Sequence, residues 1–120
     1  MPPDSRELRR GDLYWVDWSP SRGSEQAGWR PALVVQLDPA NRNPNYPNTI
    51  VVTISRTGRD VPSHVEIAPT SENGLRELSY AKCEQILTVS KDRLAERIGR
   101  VSPGAMTEVS EALKRMLSLV

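Results

Sequence analysis

The nine residues Gly23-Ser24-Glu25-Gln26-Ala27-Gly28-Trp29-Arg30-Pro31 bring a hydroxyl, a carboxylate, a carboxamide, an indole and a guanidinium into one short loop. That loop enters an aliphatic stretch, residues 32–35. Arg30 is the natural centre of chemistry there, because the planar arginine fork carries five donors and matches two non-bridging phosphate oxygens at once. Downstream, Thr53 and Ser55 are two positions apart, so in a strand their hydroxyls share one face. Counting closes other routes. The single Cys, Cys83, forms no internal disulfide and builds no Cys-based zinc site, and the single His, His64, excludes any mechanism needing two imidazoles. Phosphate-cradling glycine motifs, HExxH, the G-x-S-x-G elbow and carboxylate clusters at metal spacing are absent. The competing reading of the loop is a solvated connection whose glycines only permit its turns.

The chain has 120 residues, with 16 Lys and Arg against 15 Asp and Glu for a formal net charge of +1. This length predicts one domain with a single modest core. Near-neutrality argues against a polybasic binder, although a balanced total can hide a local patch. Positive charge is carried by 13 Arg and only 3 Lys, which suits bidentate phosphate recognition; a compositional bias of the genome explains the same count. The polar opening MPPDSRELRRGD lacks an apolar signal-peptide region, and no aliphatic run approaches the roughly 20 residues of a membrane span. The expectation is a cytoplasmic protein with a flexible polar tail over residues 1–9 and one domain over residues 10–120, with no membrane partner.

The elements that must position these groups are short strands and one closing helix, which predicts a mainly β fold with α, a small barrel. In residues 13–18, Leu13 and Trp15 face one side while Tyr14, Val16 and Trp18 face the other. A run over 31–37 begins on a proline, and an irregular Pro/Asn-rich loop spans 38–48. Residues 49–55 alternate, with Ile50, Val52 and Ile54 on the aliphatic side and Thr53 and Ser55 on the other. In His64-Val65-Glu66-Ile67, Val65 and Ile67 point inward. Two short runs, 78–83 and 86–89, complete the strands, and Ser90 caps a turn. A helix over about 103–119 follows from Ser102 as N-cap, Pro103 in the first turn and apolar Met106, Val109, Leu113, Met116 and Val120 at helical spacing. Glu111 and Arg115 form a favourable pair on its opposite face.

Arg10-Gly11-Asp12-Leu13-Tyr14-Trp15-Val16-Asp17, then the Gly23 loop running into Ala32-Leu33-Val34-Val35, closely resembles the opening of the MazF/PemK family of toxin endoribonucleases. His64-Val65-Glu66-Ile67, Cys83-Glu84-Gln85-Ile86 and the segment from Arg93-Leu94 into the last helix follow in family order, so the likeness covers nearly the whole chain after residue 9. The resemblance implies an SH3-like β-barrel of the CcdB/MazF type with a C-terminal helix, and a homodimer. It also implies ribosome-independent, sequence-specific cleavage of single-stranded RNA, mRNA in particular, without metal or cofactor. Such a toxin belongs to a type II toxin-antitoxin system and is silenced by a cognate MazE-like antitoxin, reaching DNA only through that partner.

Carried over by position, Arg30 matches the family's catalytic Arg, and Ser55 stands where many members have Thr, keeping the hydroxyl without the methyl. Thr53 is the alternative source of that hydroxyl. Glu25 matches a loop Glu implicated in activity, Glu84 stands where several relatives have Asp, and Lys82 where the plasmid-borne branch has Arg. The chemistry such a site performs is attack of the RNA's own 2′-OH on the adjacent phosphorus, leaving a 2′,3′-cyclic phosphate and a 5′-OH. A guanidinium loses its proton only at great cost, so the general base is sought among Glu25, Glu84 and His64. Arg22, Gln26, Trp29, Arg42, Tyr46, Arg56, Arg59, Lys82 and Gln85 are the expected RNA-binding residues, the aromatics as stacking platforms. Trp15 and Trp18 are read as packing residues. Two other functions fit the same fold: a CcdB-like poison of DNA gyrase acting through the helix end at 116–120, and a catalytically weakened paralogue that only binds antitoxin.

Overall fold

Period-two alternation divides the first strand between two cores. In β1 (Asp12–Asp17), Leu13 enters one and Tyr14 and Val16 the other. β2 (Trp29–Val34) and β3 (Asn48–Ser55) repeat the division: Leu33, Val52 and Ile54 go to the first side, Ala32, Val34 and Val51 to the second. β4 (His64–Ile67), β5 (Ser79–Ser90) and β6 (Leu94–Arg100) complete a six-stranded antiparallel sheet in the order β4-β5-β3-β2-β1-β6. The computed structural model describes residues 7–18 and 28–120. Glu25, Arg22 and Gln26 therefore lie outside the described residues.

The first core is closed by α2 (Pro103–Met116), which buries Val109 and Ala112 against it. The second is closed by the sheet's own curl: Val89 near the end of β5 and Leu94 at the start of β6 meet Tyr14, Val16 and Val51 across it. A Leu or Val sealed in this way stabilises the fold by about 1.5–3 kcal/mol relative to exposure. The result is the expected mainly β fold with α. Among the described residues no helix is long and apolar enough to cross a membrane.

Several local expectations give way to tertiary contacts. Leu8, assigned to the polar tail, is fully buried in the second core. The Pro/Asn-rich loop contains a short helix, α1 (Asp38–Arg42), with a proline in its first turn. Its organiser is the buried side chain of Asn41, which donates to the Gln36 carbonyl at 2.9 Å and accepts from Thr49 Oγ1 at 2.7 Å. Lys91 Nζ donates to the Asn41 and Asn43 carbonyls at 2.9 and 3.2 Å, neutralising the helix end. Burial holds the Lys91 ammonium below the usual lysine range.

The two runs expected at 78–83 and 86–89 are one long strand, β5, interrupted by a bulge. Opposite β3 the register steps from Val52↔Ile86 to Thr53↔Lys82, so Cys83, Glu84 and Gln85 bow out of the β3 ladder. Cys83 keeps a bond on the other side, its N–H donating to the Ser63 carbonyl at 2.8 Å. The thiol is fully buried, and that burial pushes it up to about 11. β6, which the sequence does not predict, is an edge strand with two register shifts against β1.

Ser102 caps α2 as expected, its Oγ accepting from the Ala105 N–H at 3.1 Å. The helix stops at Met116 rather than near 119, and Met116, Leu117, Leu119 and Val120 are exposed, so the apolar stripe outruns the core. Glu111 pairs with Lys114 at 3.3 Å, not with Arg115, whose guanidinium donates instead to the Pro62 carbonyl at 3.2 Å.

Candidate functional site

The site lies where two strands part. β2 and β3 pair only at Ala32↔Thr53, Leu33↔Val52 and Val34↔Val51. Continued, that register would oppose Arg30 to Ser55, but the ladder has ended while β2 stays on β1 (Val16↔Arg30) and β3 stays on β5 (Ser55↔Tyr80). The strand ends splay into a notch. One cavity of about 860 Å³ opens there, lined among others by Trp15, Trp29, Arg30, Ser55, Arg56 and Glu77. A smaller one of about 280 Å³ is lined by Trp18, Arg30, Thr53, Ser55, Lys82 and Gln85, with Ile54 and Leu87. Arg30 and Ser55 line both, on the ridge between them. Arg30 forms no ion pair with any other described residue.

The two candidate hydroxyls differ in what they touch. Thr53 Oγ1 donates to Gln85 Oε1 and lines only the smaller cavity. Ser55 Oγ accepts from the Thr57 N–H at 3.1 Å and lies 3.0 Å from Thr57 Oγ1. That turn fixes the Ser55 oxygen at the strand end while its proton stays able to face the notch.

Residues 68–78 form the far wall. The buried Asn73 side chain holds this loop from inside: its Oδ1 accepts from the N–H groups of Thr70 and Leu75 at 3.0 and 2.9 Å, and its Nδ2 donates to the Ala68 carbonyl at 2.9 Å. The loop then docks on β6, with Arg100 N–H donating to the Glu72 carbonyl at 2.9 Å. Glycine is required at this contact. Gly74 has φ +68 and a Cβ there would stand 2.3 Å from the Ile98 carbonyl oxygen.

His64 and Glu84 are brought together, but away from the notch. The Arg59 N–H donates to His64 Nδ1 at 3.0 Å, so the ring proton sits on Nε2 and points to Glu84 Oε2 at 2.9 Å. Both ring nitrogens are engaged, the side chain is 7% exposed, and neither residue lines either cavity. Burial pushes the Glu84 carboxyl up, but hydrogen bonds from the His64 ring, its own backbone and Ser63 outweigh it, holding it below the ordinary 4.5. A depressed carboxylate contributes stability that is present above the unfolded value and lost as pH falls through the folded one. Glu84→Gln is therefore expected to unfold at lower denaturant than the parent at neutral pH, with the difference closing as pH drops below 4.5. Urea titrations at a series of pH values check this; a difference undiminished in acid would show that the carboxylate charge is not what His64 holds.

Of the expected RNA-binding residues, Trp29, Arg56, Lys82 and Gln85 line the notch. Arg42 and Tyr46 do not: they precede Asn48, the first residue of β3, about 23 Å along the strand from Ser55. Arg59 also stands outside both cavities, its N–H on His64. Trp15, expected in the packing, is 41% exposed and lines the larger cavity, whereas Trp18 packs against the second core. Arg76 and Glu77 line the same cavity and were not singled out from the sequence; a consecutive cation and anion after Asn73-Gly74-Leu75 was the signal available. Among the described residues no group of three or more His, Cys, Asp or Glu is placed to hold a metal ion.

Comparison with known proteins places the fold. The family described as "PemK-like, MazF-like toxin of type II toxin-antitoxin system" matches residues 9–117. Endoribonuclease EndoA of Bacillus subtilis (strain 168) is 38% identical over 113 residues, covering 94% of this chain and 97% of that protein. Endoribonuclease MazF of Staphylococcus saprophyticus is 40% identical over 116 residues, 93% of this chain and 92% of its own length. Among solved structures, an endoribonuclease in complex with its cognate antitoxin from a mycobacterial species is similar with a TM-score of 0.78 at 27% identity, over 94% of this chain and 97% of that one. With a match that spans almost the whole domain and relatives this similar, the chain belongs to the PemK/MazF-like toxin family of type II toxin-antitoxin systems.

Proposed function

We propose that this chain is a sequence-specific, ribosome-independent endoribonuclease that cuts single-stranded RNA, mRNA among it, without a metal ion. The observation that carries this is the placement of Arg30 and Ser55 on one ridge between two cavities flanked by exposed indole. A strand laid across the ridge puts one phosphate over Arg30 and a nucleotide on either side. The RNA supplies the nucleophile, its 2′-OH. Arg30 clamps the non-bridging oxygens as negative charge builds on phosphorus, and Ser55 Oγ donates toward the same phosphate or the departing 5′-oxygen. The P–O bond to the 5′-oxygen breaks, leaving a 2′,3′-cyclic phosphate and a 5′-OH. Of the three candidate bases, Glu84 and His64 bond to each other outside the cavities, which favours Glu25 for the 2′-OH.

Trp29 is 58% exposed and offers a stacking face, contributing about 1–3 kcal/mol per base; Lys82 and Gln85 line the opposite side. A homodimer in the cytoplasm, silenced by a MazE-like antitoxin whose acidic segment covers the notch, completes the reading; the antitoxin complex of the similar mycobacterial endoribonuclease supports the antitoxin partner. The test is incubation of the purified protein with a long single-stranded transcript in excess EDTA, with 5′-OH ends mapped. Cleavage at a short motif is expected, lost in Ser55→Ala and retained in Thr53→Ala. Intact RNA, or cleavage that needs an added divalent ion, would overturn the proposal.

A further inference from the structure

The larger cavity contains a feature that phosphate binding does not explain. Arg30, Arg56 and Arg76 line it and suit a polyanion, yet Glu77 stands among them. A carboxylate in a groove for RNA repels the backbone unless it meets hydrogen-bond donors, and the donors that RNA carries besides its 2′-hydroxyls are on its bases. Glu77 is held as an acceptor: Arg56 Nη1 donates to its Oε2 at 2.7 Å, and its carbonyl accepts from Ser79 Oγ at 3.0 Å. One acceptor site of Oε2 is thus taken by a partner that offsets part of the charge, and Oε1 together with the second lone pair of Oε2 remains to accept two parallel donors.

We propose that Arg76 and Glu77 form a guanine-reading subsite, an inference that rests on the endoribonuclease reading of the same notch. Guanine matches this pair at both edges. Its N1–H and 2-amino donors lie side by side for a carboxylate, and its O6 and N7 acceptors suit a guanidinium fork. Adenine and cytosine offer a carboxylate a single amine, and uracil a lone N–H. The exposed indoles of Trp15 and Trp29 line the same cavity and supply a face for the base, and at about 860 Å³ there is room for a nucleotide. The loop that presents the pair is fixed by the Asn73 bonds and the Gly74 contact with β6, so the backbone that carries it is set before RNA arrives.

The probe is a random pool of 2′-fluoro RNA, which lacks the attacking hydroxyl and so reports binding apart from cleavage. Selection by the full-length protein is expected to enrich guanine at one fixed position. Replacing that guanine by inosine, which lacks the 2-amine, should weaken binding to the wild type roughly 10-fold and leave Glu77→Ala indifferent; 7-deazaguanine should do the same for the wild type against Arg76→Ala. Absence of an enriched guanine, or an inosine penalty as large in Glu77→Ala as in the wild type, would overturn the subsite. So would a Glu77→Ala enzyme that slows cleavage at every site equally with its binding preference unchanged, which would make Glu77 a group of the reaction. Failure of the nuclease reading looks different: ordinary RNA stays intact in EDTA while the guanine preference persists.

Discussion

Arg30→Ala is expected to slow RNA cleavage by roughly 10²- to 10³-fold, the cost of removing one preorganised donor group from a site of developing negative charge. The melting temperature should stay near that of the parent, since Arg30 is exposed and lies beyond the last β2–β3 pair, where no core depends on it. Arg30→Lys separates charge from geometry. Lysine keeps the cation but presents a point charge in place of a fork, so a rate close to that of the alanine variant would show that two-oxygen clamping matters. Single-turnover rates at saturating protein report the chemical step; a rate unchanged in both variants would remove Arg30 from the mechanism.

Gly99→Ala carries a large expected loss of stability. A Cβ at Gly99 would lie 2.4 Å from the carbonyl carbon and oxygen of Asn73 and 2.5 Å from the Glu72 carbonyl oxygen, all backbone. None of these can yield without loosening the Arg100 N–H to Glu72 bond and the Asn73 clip. Overpacking of this kind costs about 1–3 kcal/mol, a fall of roughly 5–15 °C in melting temperature. The displaced loop carries Arg76 and Glu77, so base selection should degrade with stability. Gly104→Ala is the counterpart of opposite sign. Gly104 sits in the first turn of α2, and an added Cβ meets only Ser102 Oγ at 3.9 Å. That change should stabilise by about 0.4–1 kcal/mol by restricting the unfolded chain. Calorimetry on the two variants checks both, and equal melting points would mean that the loop is not seated on β6.

Arg30 and Ser55 were legible early, and for physical reasons. Arg30 follows a polar loop and precedes an apolar strand, and Ser55 ends a run whose alternation sets its face without knowledge of any neighbour. The C-terminal helix was legible through its cap and its spacing. Trp15 was not. Its alternation with Leu13 placed it correctly on one side of β1, but whether that side is covered at its end depends on where α2 and loop 68–78 stop. Likewise the three bulged residues of β5 read as a break between strands, since a bulge and a turn look alike until the partner's register is seen.

Local periodicity, then, was enough for most of the strands and for the closing helix, the quoted motifs carried the family resemblance, and residue chemistry singled out a guanidinium and a hydroxyl as the proposed reactive pair. Among the described residues, the fold decided which carboxylates and aromatics line the cavities beside Arg30 and Ser55. Glu84 and His64 bond to each other across β4 and β5, while Glu77 and Trp15, from a loop and a strand more than sixty residues apart, meet in one cavity. Sequence spacing reports which face of its own element a side chain occupies. What occupies the space opposite that face is fixed by the sheet's curl and by two glycines, Gly74 and Gly99, that let a distant loop close on β6.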